Sequence, residues 1–310
     1  NTNNPNNPDD VNDEVDGDKP VVGVTATDAQ AVEGVDNTLV FTVAQNNLSN
    51  FDTIVKVSLG ISTLVAADIA SISYTNAAGV VVSLTTATQI QNFLTNGDSV
   101  KIPAGSTSAP AITVTVIDDN IYEQSENIVL TISNASNATV GSNASATGTV
   151  LDEDNGNPND GSTTDGDKPV VSITATEAQA IEGVDNTLIF TVTQTNLSNL
   201  DTTVKVSLGA TNTVEAADIA KISYTNAAGV VVTLDKLSDI QAFLTNGATV
   251  NIPAGSLSAP AITVTVIDDA IYEQSEDLVL NIAVDANSPT PATVGSNASA
   301  TGTVLDEDNG

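Results

Sequence analysis

The sequence predicts an all-β protein: two tandem antiparallel β-sandwiches, each carrying one short helical insertion. Three observations lead there. The chain of 310 residues repeats itself after about 150 residues, too long a period for a solenoid, so each copy is a whole domain. Its apolar residues are mostly Val, Ile, Ala and Leu with only 3% aromatics, alongside 20 Gly and 11 Pro, a composition that favours sheet and turns. Apolar residues also alternate with a period of two through most of each copy.

The repeat is close. Residues 18–59 match residues 167–208 at 33 of 42 positions, and Ser108–Glu126 matches Ser258–Glu276 at all but one of 19. Residues 1–17 and 155–166 are rich in Asn, Asp, Gly and Pro, with almost nothing that can enter a core, and are expected to be linkers. The domains are then expected at 18–154 and 167–308. The chain starts at Asn1, contains no Met and ends as a further linker begins, so it is expected to be a piece of a longer array.

In the first copy Val21-Val22-Gly23-Val24-Thr25 is the first strand, broken at Glu33-Gly34. Thr38–Val43 and Thr53–Leu59 alternate well. Ser71–Tyr74 and Val80–Leu84 flank Asn76-Ala77-Ala78-Gly79, a hairpin turn. Pro110–Ile117, Asn127–Ile132 and Ser145–Leu151 complete seven or eight short strands, the count of a sandwich. Thr86–Leu94 is the one helical candidate. Thr86 and Gln89 have capping-box spacing, and Ile90, Phe93 and Leu94 share a face. The element recurs with Ser238 and Gln241 as the box and Ile240, Phe243 and Leu244 as the face, and is expected to cover one sheet edge.

Charge narrows the function. There are 39 acidic side chains against 7 Lys and no Arg, a net charge of −32, with no His, Cys, Met or Trp. Zero Cys removes disulfides, thiolate metal sites and thiol catalysis, and zero His removes the usual general base. So negative a chain repels nucleic acid and anionic lipid, and no apolar run approaches the roughly 18 residues of a membrane helix. Hard cations are the remaining partner.

The acids recur at strand ends. Asp118, Asp119, Glu123 and Glu126 fall within nine residues after the strongest strand. Asp152-Glu153-Asp154 follows the last strand, Glu33 follows the first, and Asp68 precedes Ile69. The second copy repeats them as Asp268, Asp269, Glu273, Glu276, Asp306, Glu307, Asp308, Glu182 and Asp218. An antiparallel sandwich gathers such strand ends at one pole. Carboxylates within roughly 4–6 Å raise each other's pKa and oppose folding unless a cation sits among them. Oxygen-only donors select hard cations, and calcium accepts 6–8 oxygens in flexible geometry. The plain alternative is that these acids are solvated strand ends. Against it, every one keeps its relation to its strand although loop lengths differ between copies.

Val100-Lys101-Ile102-Pro103-Ala104-Gly105, Ala111–Asp119, then Tyr122-Glu123 and Glu126, together with Val32-Glu33-Gly34 and Thr149-Val150-Leu151-Asp152-Glu153-Asp154, resemble the Calx-beta domain. The resemblance covers essentially all of both copies. It implies an immunoglobulin-like seven-stranded sandwich that binds several calcium ions at one end. The ligands it implies are Glu33, Asp68, Asp118, Asp119, Glu123, Asp152 and Asp154, and in the second copy Glu182, Asp218, Asp268, Asp269, Glu273, Asp306 and Asp308. Two departures stand out: Ile69 follows Asp68 where the family usually has an aromatic residue, and residues 76–97 exceed the common pattern.

Near-identical, acidic, Cys-free copies of this kind are similar to the extender region of giant RTX-type bacterial surface adhesins. That likeness implies an extracellular stalk, secreted by a type I system and anchored on the bacterial cell surface, often in biofilms, in which calcium stabilises the domains and stiffens the joints to project a distal adhesive tip. Its partners are then calcium and neighbouring repeats of the same chain, and it is expected to be monomeric. Other readings are a module that binds glycan, ice or protein through Thr-rich strand faces, and a regulatory calcium sensor. An enzyme would need a defined pair such as Asp118 and Glu123. With no Trp to stack sugars and two equal copies, no enzyme is expected.

Overall fold

Alternation along each strand decides the architecture. In the computed structural model, which describes residues 18–152 and 167–306, Leu39, Phe41 and Val43 point inward while the intervening Thr and Val residues face out. Strands half-buried in this way need a second apolar face to pack against, and two sheets supply it.

In chain order the first copy holds β1 (Val21–Asp28), β2 (Gln30–Val32), β3 (Thr38–Gln45), β4 (Thr53–Leu59), β5 (Ile69–Thr75), β6 (Val81–Leu84), α1 (Ala87–Asn96), β7 (Asp98–Ile102), β8 (Ile112–Val116), β9 (Ile121–Tyr122), β10 (Glu126–Ser133), β11 (Thr139–Val140) and β12 (Ser145–Leu151). The second holds β13 (Val170–Glu177), β14 (Gln179–Ile181), β15 (Thr187–Gln194), β16 (Leu197–Ser198), β17 (Thr202–Leu208), β18 (Ile219–Thr225), β19 (Val231–Leu234), α2 (Leu237–Asn246), β20 (Ala248–Ile252), β21 (Ile262–Val266), β22 (Glu276–Val284), β23 (Thr293–Val294) and β24 (Ser299–Leu305).

The first copy pairs a sheet β11-β1-β3-β8-β5-β6 with a sheet β2-β12-β10-β4-β7. The second repeats the pattern as β23-β13-β15-β21-β18-β19 and β14-β24-β22-β17-β20. Of the described residues, those up to Asp119 and from Gln124 to Asp152 form one compact unit. Asn120–Glu123 and the residues from Asp167 on form the other, where β9 pairs in parallel with β16. Segments 1–17 and 155–166 lie outside the described residues.

The expected sandwich is present, with differences. It is not wholly antiparallel: β1 pairs in parallel with β11, and β2 with β12. The β2 pairing arises at Ala29, where the chain leaves one sheet after a bulge at Ala26/Asp28 and enters the other. Where one first strand was expected before Glu33-Gly34, two therefore form. The strand Asp98–Ile102 was not among those expected; it pairs with β4 at a sheet edge.

Each unit has its own core, centred on Leu39, Phe41, Ile72, Ile112 and Leu130 in the first and on Leu188, Phe190, Ile222, Ile262 and Leu280 in the second. Gly148 makes room for it, since a Cβ there would lie 2.9 Å from Leu39 Cδ1 and 3.0 Å from Phe41 Cζ. The Asn76–Gly79 turn forms as expected, with Gly79 at φ 78° and the Gly79 N–H donating to Asn76 O.

Helix α1 begins as its sequence requires: Thr86 and Gln89 form the capping box, and Ile90 and Phe93 are buried. It packs on β4 of one sheet and β5 of the other, so it plugs the flank between sheets and does not merely cover one edge. Phe93 meets Tyr74 with ring centroids 5.1 Å apart. The box expected at Ser238 and Gln241 does not form. Helix α2 starts two residues earlier, with Lys236 as N-cap and no side-chain cap, because Lys236 stands where the first copy has Thr86.

Candidate metal centre

One pole of each sandwich is built by strand ends. At the ends of the parallel pair, Val32 lies beside Leu151 and the Glu33 N–H donates to Leu151 O at 3.0 Å. Glu33 and Asp152 therefore leave the sheet side by side, only 7% and 4% exposed. On the other sheet Ile69 pairs with Val116, and the Ile117 N–H donates to Asp68 O at 2.9 Å, which brings Asp68 and Asp118 to the same rim. The two rims meet at Gly34, where an added Cβ would lie 3.1 Å from Asp118 Oδ1. Gly34 has φ 69°, so its freedom and its missing side chain both let that carboxylate approach.

Asp68, Glu123 and Glu126 each offer a carboxylate oxygen within 4.8 Å of the others. Asp218, Glu273 and Glu276 do the same in the second copy. There the surroundings repeat: Glu182 N–H donates to Leu305 O at 3.0 Å, Ile267 N–H donates to Asp218 O at 2.8 Å, and Asp268 Oδ1 lies 3.2 Å from a Cβ built on Gly183. Glu182 and Asp306 are 4% and 6% exposed. Asp306 Oδ2 accepts the Glu273 N–H at 2.6 Å, tying the end of β24 to the acidic loop.

The electrostatics are those of a crowded anionic site. Burial pushes the Glu273 carboxyl up, and the charges of Asp218, Asp269, Asp306 and Glu215 add to it. Glu276 is pushed up to about 7 by burial, then by the Asp218 charge and a hydrogen bond with Asp218, and by Glu273 and Glu215. The charges named here, from Asp218, Asp269, Asp306, Glu215 and Glu273, are all acidic. A donor set of carboxylate oxygens alone, unbalanced by any of those charges, has the chemistry that a hard cation satisfies.

The expected residues thus divide. Asp68, Glu123, Asp218 and Glu273 enter the three-carboxylate groups. Glu33, Asp118, Asp152, Glu182, Asp268 and Asp306 line the adjoining rim, while Asp119 and Asp269 lie exposed on the loop after β8 or β21. The Asp269 carboxylate accepts the Ile271 N–H at 2.7 Å. Asp154 and Asp308 lie outside the described residues. Glu126 and Glu276 belong to the groups although the expected ligand set omitted them. Their signal was the Glu-x-x-Glu spacing, which puts the second acid at the first residue of β10 or β22, facing the pole.

The Calx-beta domain profile matches residues 36–154 and 253–308. The chain belongs to the Calx-beta domain family. The Calx-beta sandwich and the pole of acids therefore occur together in both copies. Among solved structures, the tandem domains CBD12 of CALX1.2 are similar at 11% identity over 91% of this chain and 99% of that one, with a TM-score of 0.31. The calcium binding domain CBD12 of CALX1.1 is similar at 11% identity over 91% and 98%, with a TM-score of 0.28. A two-domain Bacteroides fragilis protein of unknown function is similar at 10% identity over 81% and 89%, with a TM-score of 0.27. No curated protein matches the chain. Among the described residues, no helix is long and apolar enough to cross a membrane.

Proposed function

We propose that this Calx-beta pair is a calcium-binding structural segment, an extender of a secreted bacterial surface adhesin. The observation that carries the calcium reading is the twofold recurrence of three carboxylates within 4.8 Å, each set at a pole rimmed by two further buried acids. Residues Asp218, Glu273 and Glu276 would hold the ion in the second copy, with Asp306 and Glu182 on the rim; Asp68, Glu123 and Glu126 are their counterparts. Calcium would supply positive charge among these gathered carboxylates. The protein supplies a rigid frame of strand ends, so the oxygens are already gathered and binding free energy adds to folding stability.

Support for the adhesin context comes from the composition: near-identical tandem copies, a net charge of −32 and no Cys. At low free calcium the uncompensated acids disfavour the compact state, and in the calcium-rich exterior they favour it. Asp152 lies buried just where the chain leaves the first sandwich, so an ion at that pole also restrains the exit. The output is stiffness and reach, without turnover. Small-angle scattering with calcium and with EGTA tests this: the stalk reading expects a longer, narrower length distribution in calcium. A regulatory sensor is the second reading for the same fold. It expects calcium to change binding to a partner domain at constant length, and equal scattering curves would sink the stalk.

A further inference from the structure

The same six residues, Ile-Tyr-Glu-Gln-Ser-Glu, occupy 121–126 and 271–276 but sit in two different settings. Ile121–Tyr122 is β9 and belongs to the second compact unit, where it pairs in parallel with β16. Leu197 lies opposite Ile121 and Ser198 opposite Tyr122. The Asn199 N–H donates to Tyr122 O at 3.1 Å, and Tyr122 is only 5% exposed. Ile271 and Tyr272 lie outside any strand and are 64% and 68% exposed. The receiving edge is duplicated too: Asn47-Leu48-Ser49-Asn50 repeats as Asn196-Leu197-Ser198-Asn199. Its turn is held in the same way in both copies. Ser49 O accepts the Gly105 N–H and Ser198 O the Gly255 N–H, each at 2.8 Å. Ser49 Oγ accepts the Phe51 N–H at 3.0 Å, and Ser198 Oγ the Leu200 N–H at 3.1 Å. Under β9 Ser198 is fully buried and Leu197 and Leu200 are half-buried, whereas their counterparts Leu48 and Phe51 are 64% and 63% exposed.

We propose that Ile271–Tyr272 of one molecule docks as a parallel strand on Leu48–Ser49 of a second copy of this chain, repeating the pairing of β9 with β16. Leu48 then lies opposite Ile271, and Ser49 opposite Tyr272. The match is chemical as well as geometric. Ile271–Tyr272 is flanked by Asp268, Asp269 and Glu273, which repel an acidic partner, whereas Asn47–Asn50 carries no charge and sets a leucine against an isoleucine. The contact is heterologous, so it can be repeated from copy to copy. Two residue pairs bury far less than the roughly 1,200 Å² of a stable interface, so between separate molecules the contact is transient. Covalent linkage of copies in tandem, at about millimolar effective concentration, holds it. The inference goes beyond the proposed function and does not rest on it, since neither the ion nor the cell surface enters it.

Disulfide trapping on the full 310-residue chain tests this, because the wild type has no Cys. Opposed positions on neighbouring strands lie about 5 Å apart, within reach of a disulfide. Leu48→Cys and Ile271→Cys are made as separate variants, mixed at about 1 mM in salt that screens the acidic surfaces, and oxidised. Both positions are exposed, so both variants should melt like the wild type. The reference mixture pairs Ile271→Cys with Ile61→Cys, at a position 96% exposed and outside the edge. The expected result is roughly tenfold more mixed dimer from positions 48 and 271 than from 61 and 271. Ile121→Cys with Leu197→Cys in one chain should close at any dilution, reporting the pairing already formed. Equal yields from the two mixtures, or a predominance of Ile271→Cys homodimers, would overturn the proposal. So would failure of the 121–197 pair to close, since the pairing to be repeated would then be absent.

Discussion

Glu276 offers a test whose sign changes with the ion. Its carboxyl is raised from 4.5 to about 7 in the folded protein. A carboxyl with a raised folded pKa binds its proton more tightly when folded, so its stabilising contribution is full below about 4.5 and is lost as pH rises through about 7. The rise corresponds to roughly 3 kcal/mol at most. Because the group keeps some contact with water, about 1–2 kcal/mol is the better figure. For a domain of this size that moves the Tm by roughly 3–8 °C. Scanning calorimetry in EGTA should show the second unit melting higher at pH 5 than at pH 8, and Glu276→Gln should flatten the difference. In calcium the order should reverse, since bound carboxylates must be ionised and protons compete with the metal. The window is distinct from that of Asp52, which the Ala104 N–H and Lys101 hold below the usual carboxylate range and which acts only at lower pH. A Tm in EGTA that is flat or rises between pH 5 and pH 8 would refute the crowding of acids at the pole.

Other expectations follow from particular contacts. Asp118→Asn with Asp119→Asn should lower the Tm in calcium and change little in chelator; an equal loss in both would make these acids structural hydrogen-bond acceptors. Thr86→Ala removes the capping box of α1 and should cost about 1 kcal/mol in urea unfolding, whereas Lys236→Thr should gain a few tenths to 1 kcal/mol by capping α2 and removing a cation from its N-terminus. Gly302→Ala places a Cβ 3.0 Å from both Leu188 Cδ atoms and 3.1 Å from Phe190 Cζ, and should cost about 1–3 kcal/mol; a neutral result would show that this core has room.

Much of this was legible in the residues. The two-residue period and the near-identity of the copies give two sandwiches, because a half-buried strand announces its inward face at every second position. Ile90 and Phe93 enter the core at the helical spacing, and Thr86 caps its helix because its side-chain oxygen, three residues before Gln89, accepts the Gln89 N–H. The switch of sheets at Ala29 was not legible, since the sequence marked one first strand with its break at Glu33-Gly34 and only tertiary packing decides that a division falls at Ala29. Ser238 misled because its spacing to Gln241 imitates a capping box inside the first turn of α2. At the pole, recurrence between copies marked most of the acids. It was silent on Glu215, which has no acidic counterpart, since Val65 stands there in the first copy.

The central claim is that both poles bind calcium and that the ion adds to folding stability. Scanning calorimetry of the whole chain in calcium, in magnesium and in EGTA at pH 7.4 tests it most directly. Calcium at about 100 times its dissociation constant should add about 2.7 kcal/mol to each unit that binds one ion, visible as a rise in Tm of several degrees, with magnesium doing far less. Superimposable melting curves in calcium and in EGTA would contradict the account.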